Sequence, residues 1–311
     1  MIGVDIGGSK VLGIRLGPGG QIEALDRLPT PADANAVVEA VLAVSACVAG
    51  PAGDPLALPL GVGLPGMVDR RGVAHFCPHL HSLDGIDVRL ELARRRAPGA
   101  ATVVFNDATA ACWAEYRLGA GREHEDVLMV TMGTGIGGGI VAGGRLLEGR
   151  NGFAGEIGHM VVDPHGPPCP CGKRGCWERF ASGSSLGRLA REAAQAGRLD
   201  YVVRLAGGDP EAVRGEHLTA AALSGDPGAL AVMNDFGWWL ALGLANLANA
   251  LDPAVIVLGG GLIEAGDVVM VPVREAFAEL AEAPEARGVQ VLAAQLGERA
   301  GAVGAALLSV Q

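Results

Sequence analysis

Ile2-Gly-Val-Asp5-Ile-Gly-Gly-Ser-Lys10-Val-Leu-Gly-Ile-Arg-Leu16 reads as strand, glycine turn, strand. Residues 2–6 are apolar apart from Asp5. Gly7-Gly8-Ser9-Lys10 breaks the run and residues 11–16 resume it. Gly17-Pro18-Gly19-Gly20 is a further turn, and residues 21–28 read as a third strand. The theme returns roughly 130 residues later. Residues 127–132 form an apolar strand, 133–139 a glycine loop and 140–147 the returning strand. Two such units predict a duplicated α/β domain.

Outward from these units the pattern stays mixed. We expect helices over 34–48 and 84–96, strands over 61–64 and 102–105, and a helix from Asn106-Asp107 to 117. Beyond 186 the chain reads as helical to 223 and again over 228–251. Strand 254–258, Gly259-Gly260-Gly261, helix 268–281, strand 289–293 and a last helix from 300 follow. A length of 311 residues suits about two domains. We place them at 1–118, completed by 298–311, and 119–297, with a hinge near 116–126.

Composition narrows the class. Half the residues are apolar and 19% charged, enough for a core in each domain. The 49 glycines cluster at turns instead of signalling low complexity. A net charge of −10 opposes a nucleic-acid partner, which needs a basic face. The longest apolar stretch, 236–251, is short for a membrane span and holds Asn246 and Asn249. No charged leader precedes residue 2, so we expect a cytoplasmic protein without a membrane partner.

Gly61-Val-Gly63-Leu-Pro-Gly66 and Gly133-Thr134-Gly135-Ile-Gly-Gly138 both match G-x-G-x-x-G. A dinucleotide site requires a helix after the loop, and neither is followed by one, so that reading is rejected. Glycine turns between strands can instead expose backbone N–H groups to an anion. Asp5 beside such a turn suits a magnesium ion, directly or through water, and Lys10 adds positive charge. Each loop alone reads equally well as a tight hairpin; two at strand ends favour a phosphate site.

Six motifs then occur in order: Asp5-Ile-Gly-Gly-Ser-Lys10, Gly61 to Gly66, Asn106-Asp107-Ala108, Gly133 to Gly139, Gly155-Glu-Ile-Gly-His159, and Cys169-Pro-Cys-Gly-Lys-Arg-Gly-Cys-Trp-Glu178. The series closely resembles the ROK family of repressors and sugar kinases, above all its bacterial glucokinases. The resemblance spans nearly the whole chain. It implies an actin/hexokinase-like ATPase fold, two α/β domains with a ligand cleft between them, closing over ATP and a hexose. It implies Mg²⁺ as cofactor and a homodimer or homotetramer. Gly7, Gly8, Ser9, Lys10, Gly133, Thr134, Gly135 and Gly259, Gly260, Gly261 are then the nucleotide-binding positions, with Asp5.

Asn106-Asp107 stands at a strand end, where function sits in open α/β sheets. Phosphoryl transfer to a hydroxyl needs a carboxylate to accept its proton. Asp107 is the choice, and the resemblance puts the same role there, on the sugar 6-hydroxyl. An N-cap is the alternative for either residue, and one of the pair can cap while the other reacts. Gly66, Asn106, Glu156, His159 and Glu178 resemble the family's sugar-binding residues. His79 stands where relatives often carry an asparagine that touches the sugar.

Cys169-x-Cys171-x₄-Cys176 with His159 supplies three thiolates and an imidazole, a set that fits a closed structural Zn²⁺ site. The loop is rich in proline and glycine and buries little apolar surface, so it needs a staple. Cys47, Cys77 and Cys112 stand alone and read as small core residues.

The leading expectation is ATP-dependent phosphorylation of a hexose, glucose to glucose 6-phosphate. Alternatives are a kinase for N-acetylmannosamine, N-acetylglucosamine, fructose or allose, a polyphosphate donor, or a sugar-responsive regulator lacking its DNA-binding domain.

Overall fold

The computed structural model describes residues 1–50, 53–78 and 80–311; His79 lies outside them. In chain order the elements are β1 (Ile2–Ile6), β2 (Lys10–Leu16), β3 (Ile22–Pro29), α1 (Ala34–Ala49), β4 (Leu60–Leu64), β5 (Met67–Val68), β6 (Ala74–Phe76), α2 (Val88–Ala93), β7 (Thr102–Asn106) and α3 (Asp107–Leu118). Then come β8 (Val127–Met132), β9 (Ile136–Ala142), β10 (Arg145–Leu146), α4 (Glu178–Ala181), α5 (Gly183–Gln195), α6 (Asp200–Leu205), α7 (Gly215–Leu223) and α8 (Pro227–Leu251). β11 (Val255–Gly259), α9 (Asp267–Leu280), α10 (Pro284–Arg287), β12 (Gln290–Ala293) and α11 (Ala300–Leu308) complete the chain.

Two five-stranded sheets share one plan. The first has the order β3-β2-β1-β4-β7 and the second β10-β9-β8-β11-β12, as expected for a duplicated domain. In the first, β1 and β2 pair antiparallel, as do β2 and β3, while β4 and β7 continue parallel to β1. Strand β3 alternates partly buried and exposed residues, as an edge strand with one covered face must. Strands β4 and β11 are buried at every position, which their continuous apolar runs require.

The chain forms two compact units. Unit 1 is Met1–Met129, Gly138–Glu156 and Gln295–Gln311; unit 2 is Val130–Gly137 and Ile157–Ala294. The boundary expected at 118 therefore lies inside unit 1, and so does much of the segment expected in the second domain. The cause is close packing: a methyl on Gly139 would overlap the Cys112 side chain and meet the Ala108 carbonyl on α3. The C-terminal segment joins unit 1 from Gln295, held by a buried carboxylate. Glu115, with no exposed surface, accepts the N–H groups of Gln295 (2.9 Å) and Leu296 (2.7 Å) on Oε1 and of Ala120 (2.8 Å) on Oε2.

Other boundaries differ where local chemistry overrides the period. The helix expected over 84–96 shrinks to α2, because Gly85 takes φ 83° and Asp87 caps the helix by accepting from the Leu90 N–H at 2.8 Å. The helix expected over 186–223 is broken near Gly197 and Gly207-Gly208, all with positive φ, and by Asp209-Pro210. The strand expected over 140–147 begins earlier, inside the glycine loop, at Ile136.

In unit 1, α11 lies on β1 and β4 and beside α3 with almost no side chain between the backbones. Its sequence, Ala-Gly-Ala-Val-Gly-Ala-Ala-Leu-Leu, permits that. A methyl on Gly61 of β4 would overlap the Ala305 carbonyl, and one on Gly304 the Ala110 carbonyl of α3. In unit 2, Trp177 is fully buried, donates its indole N–H to the Trp239 carbonyl at 2.8 Å and occupies the space over Gly243 of α8. Among the described residues no helix is long and apolar enough to cross a membrane.

Gly61→Ala should destabilise unit 1 by about 3 kcal/mol, since the added methyl meets backbone that cannot rotate away. Urea denaturation checks this: the midpoint falls while the slope is unchanged. An unaltered midpoint would mean that α11 does not approach β4 this closely.

Candidate functional site

The carboxylates of unit 1 converge because three parallel strands end together. Asp5 on β1 is in register with Gly63 on β4, and Gly63 with Phe105 on β7. Gly63 has no side chain, and a methyl there would lie 3.1 Å from Asp5 Oδ1 and 3.5 Å from the Asp107 Cα. Asp5 and Asp107 therefore flank the same bare strand position. Asp5 Oδ1 is buried with no hydrogen-bond partner. Burial, and then the neighbouring charge of Asp107, push the Asp5 carboxyl up to about 7, with Lys10 opposing. Burial likewise pushes Asp107 up to about 6; the Glu156 carboxylate adds to the rise, while the Ala108 N–H, donating to Oδ1 at 2.8 Å, opposes it.

The local geometry shows which of the pair caps the helix. Asn106 is the N-cap of α3: its Oδ1 accepts from the Thr109 N–H at 2.9 Å. Its Nδ2 donates to the Gly66 carbonyl at 3.0 Å, which ties the end of β7 to the turn after β4. Gly66 takes φ 94° there. Asp107 is the first residue of the helix and is released from capping.

The β1–β2 turn is a closed hairpin. Gly7 N–H donates to the Lys10 carbonyl at 2.8 Å, and Thr30 grips the loop through Oγ1 to the Gly7 carbonyl (2.7 Å) and N–H to the Ser9 carbonyl (3.2 Å). Gly8 and Ser9 are exposed. Lys10 differs from the expectation of a charge awaiting phosphate. Its ammonium is paired with Glu298, whose other oxygen lies 3.6 Å from Arg27.

Unit 2 holds a cavity of about 730 Å³. Gly133 and Thr134 line it, with Gly183 and Gly215 at the heads of α5 and α7, Thr219, and Gly261 at the start of a 3₁₀ turn. Three helical N-termini thus open on one space, an arrangement suited to anions. Gly183 N–H donates to the Gly133 carbonyl at 2.9 Å and fixes loop to helix. Gly135, Gly259 and Gly260 do not line this cavity. Gly135 instead makes room for Glu178: a methyl there would lie 2.6 Å from its Oε2. Gly183, Gly215 and Thr219 carry no sequence motif and join the loop at Gly133 only in the folded chain.

His159, Cys169, Cys171 and Cys176 come together in unit 2, their ligand atoms all within 4.8 Å of one another. Cys171 and Cys176 sulfurs are 3.6 Å apart, and Cys169 Sγ is 3.7 Å from His159 Nδ1. A tetrahedron with Zn–S of about 2.3 Å and Zn–N of about 2.0 Å has edges of about 3.6–3.8 Å, so the donor set fits zinc in chemistry and spacing. Glu178, at the head of α4, lies against the cluster, with Cys169 Sγ donating to its Oε1 at 3.1 Å. The buried Trp177 between Cys176 and Glu178 anchors both to α8.

Comparison with known proteins places this geometry in a family. The chain is 39% identical to a glucokinase of Streptomyces coelicolor, over 99% of this chain and 96% of that one. A crystal structure of a ROK family glucokinase from Streptomyces griseus, in complex with glucose and AMPPNP, superposes with a TM-score of 0.87 at 39% identity, covering 99% of this chain and 98% of the other. The ROK hexokinase of Thermus thermophilus gives 0.81 at 34%, covering 99% and 96%. The fold is thus the actin/hexokinase-like ATPase fold. The ROK family profile matches residues 1–311, and the chain belongs to the ROK family.

Proposed function

We propose that this protein transfers the γ-phosphoryl group of ATP to the 6-hydroxyl of glucose. The observation that carries the reading is the carboxylate pair across Gly63, with Asn106 doing the capping and Asp107 left to react. The glucokinase relatives, one of them bound to glucose and AMPPNP, support the same donor and acceptor.

Asp107 acts as general base. Its carboxyl, raised to about 6, is ionised at neutral pH yet basic enough to accept the hydroxyl proton as the bond to phosphorus forms. Asn106 and Glu156 hold sugar hydroxyls beside it, and Gly66 orients Asn106 through its carbonyl. His159 and Glu178 keep the role of hydroxyl ligands, supported by the way the cysteine loop and Trp177 fix both. Gly7 and Gly133 close the two turns through their own N–H groups, and the N–H groups of Gly8 and Ser9 and of Thr134 and Gly135 serve phosphate. Of the Gly259, Gly260, Gly261 turn, Gly261 lines the unit 2 cavity, where the nucleoside binds. The unpartnered Asp5 oxygen suits a hard cation and would hold Mg²⁺, directly or through water. Bound Mg²⁺ neutralises charge on the phosphates.

Zinc at Cys169, Cys171, Cys176 and His159 is structural, because four protein ligands leave no open position. Nδ1 faces the thiols, and with zinc bound there His159 would carry its proton on Nε2. Reduced thiol ligands support a cytoplasmic setting. A homodimer or homotetramer is the expected assembly, supported by exposed apolar side chains such as Trp238 and Val271.

Three outcomes follow. Among glucose, mannose, fructose, N-acetylglucosamine and N-acetylmannosamine, glucose should give the highest kcat/KM with ATP in a coupled ADP-release assay. A tenfold preference for another sugar, about 1.4 kcal/mol, keeps the kinase and overturns the acceptor. Asp107→Asn should lower kcat by at least about 10²-fold with modest change in glucose affinity. The wild-type kcat/KM should rise with pH through about 6, as Asp107 deprotonates, and then level; a flat profile with an active Asp107→Asn reduces the residue to a structural one. Cys171→Ser should lose zinc and raise the glucose KM while ATP affinity changes little. Zinc lost with glucose KM intact would falsify the coupling of metal to sugar site.

A further inference from the structure

A basic concavity of unit 1 is lined by residues assigned no role above. A groove of about 450 Å³ is lined by Asp69, Arg70, Arg71, His75, Arg150, Asn151 and Phe153. In a chain of net charge −10 it gathers three arginines and a histidine against one carboxylate.

That carboxylate is already engaged. Asp69 accepts the backbone N–H groups of Arg71 (2.9 Å) and Val73 (3.0 Å), the Arg71 guanidinium (3.2 Å) and His75 Nε2 (3.1 Å). These bonds hold its carboxyl well below the usual aspartate range despite its burial. Arg70 and Arg150 have no ion-pair partner among the described residues, and both are exposed. The β5–β6 hairpin and the 148–153 loop are stitched together by the Arg70 N–H donating to the Asn151 carbonyl at 3.2 Å. Gly152 packs so closely that a methyl there would lie 2.8 Å from the Arg70 nitrogen. Phe153, edge-on to His75 at 5.4 Å between ring centroids, gives the groove one apolar wall. The two unpaired guanidiniums therefore come from segments held in fixed relation, and guanidinium forks match phosphate oxygens in pairs.

We propose that this groove is a second anion site, which binds a phosphate group, free or as the monoester of a small polar molecule, between Arg70 and Arg150. None of the residues lining it is assigned above to the nucleotide, the sugar or the transfer.

The test is calorimetric titration at constant ionic strength, held with chloride, of the wild type and of Arg70→Ser/Arg150→Ser. Inorganic phosphate and glucose 6-phosphate are the two probes. The wild type should bind one more phosphate group than the double variant, with at least about tenfold weaker affinity at that site once the arginines are gone. Glucose kcat should be unchanged. Arg150→Glu, a single exposed change, should abolish the same binding and guards against a double variant that folds poorly. Saturation by inorganic phosphate assigns the groove to the free anion, and saturation by glucose 6-phosphate alone assigns it to a monoester. Identical isotherms for wild type and variants, or heats that chloride reproduces, overturn the proposal.

Discussion

Where α11 meets β4 and α3, backbone touches backbone, and unit 1 is organised around that contact. Gly61 and Gly304 leave no room for a methyl, so the last helix must be built of alanine and glycine along that face. Side chains would hold elements about 10 Å apart; their absence brings α11 closer. Gly301, in the first turn of α11, comes so close that a methyl there would lie 2.7 Å from the Asp5 carboxyl carbon. The helix thus forms a wall of the pocket in which Asp5 loses its water. The raised Asp5 and Asp107 carboxyls follow from packing at glycine, not from any unusual residue at the site.

Such a wall has to be held in place from a distance along the chain. Residues 295–311 return to unit 1 after unit 2 is complete, and Glu115 receives them. A fully buried carboxylate is costly unless its oxygens are satisfied, and three backbone N–H groups satisfy this one. Because α3 begins at Asp107 and carries Glu115 two turns later, the helix that presents Asp107 also anchors the helix that packs against Asp5.

Much of this was legible in the residues. The two strand–glycine–strand units gave the duplicated sheets because alternation and glycine turns are local signals, and β1, β2, β8 and α3 fall within a residue or so of expectation. The cysteine spacing announced its cluster, and the ordered motifs announced the family. Partner choice was not legible. Lys10 beside a glycine turn looks like a phosphate ligand until Glu298, 288 residues away, takes its charge. Which of Asn106 and Asp107 caps depends on the Gly66 carbonyl, which lies on a different strand connection. Gly183 and Gly215 carry no motif, and their meaning emerges only when α5 and α7 open on one cavity. The unit boundary failed for the same reason, since Gly139 against Cys112 is a contact that no periodicity records.

Unit 1 also sets its carboxylates against one another. Beyond the burial that acts on both aspartates, Asp107 raises the cost of ionising Asp5, and Glu156 raises that of ionising Asp107. Lys10 offsets part of this for Asp5, but its ammonium is shared with Glu298. A protein that needed only stability would have neutralised such a cluster with arginine or replaced it with apolar side chains. Retaining the carboxylates leaves a deficit of positive charge that a proton or a bound cation would relieve. An ion entering with nucleotide would lower the Asp5 carboxyl at the moment the donor arrives. Asp107, two strands further on, would then remain ionised at neutral pH and still be basic enough to take the proton of the proposed transfer. Two aspartates of the same chemistry are in this way given different tasks by position alone.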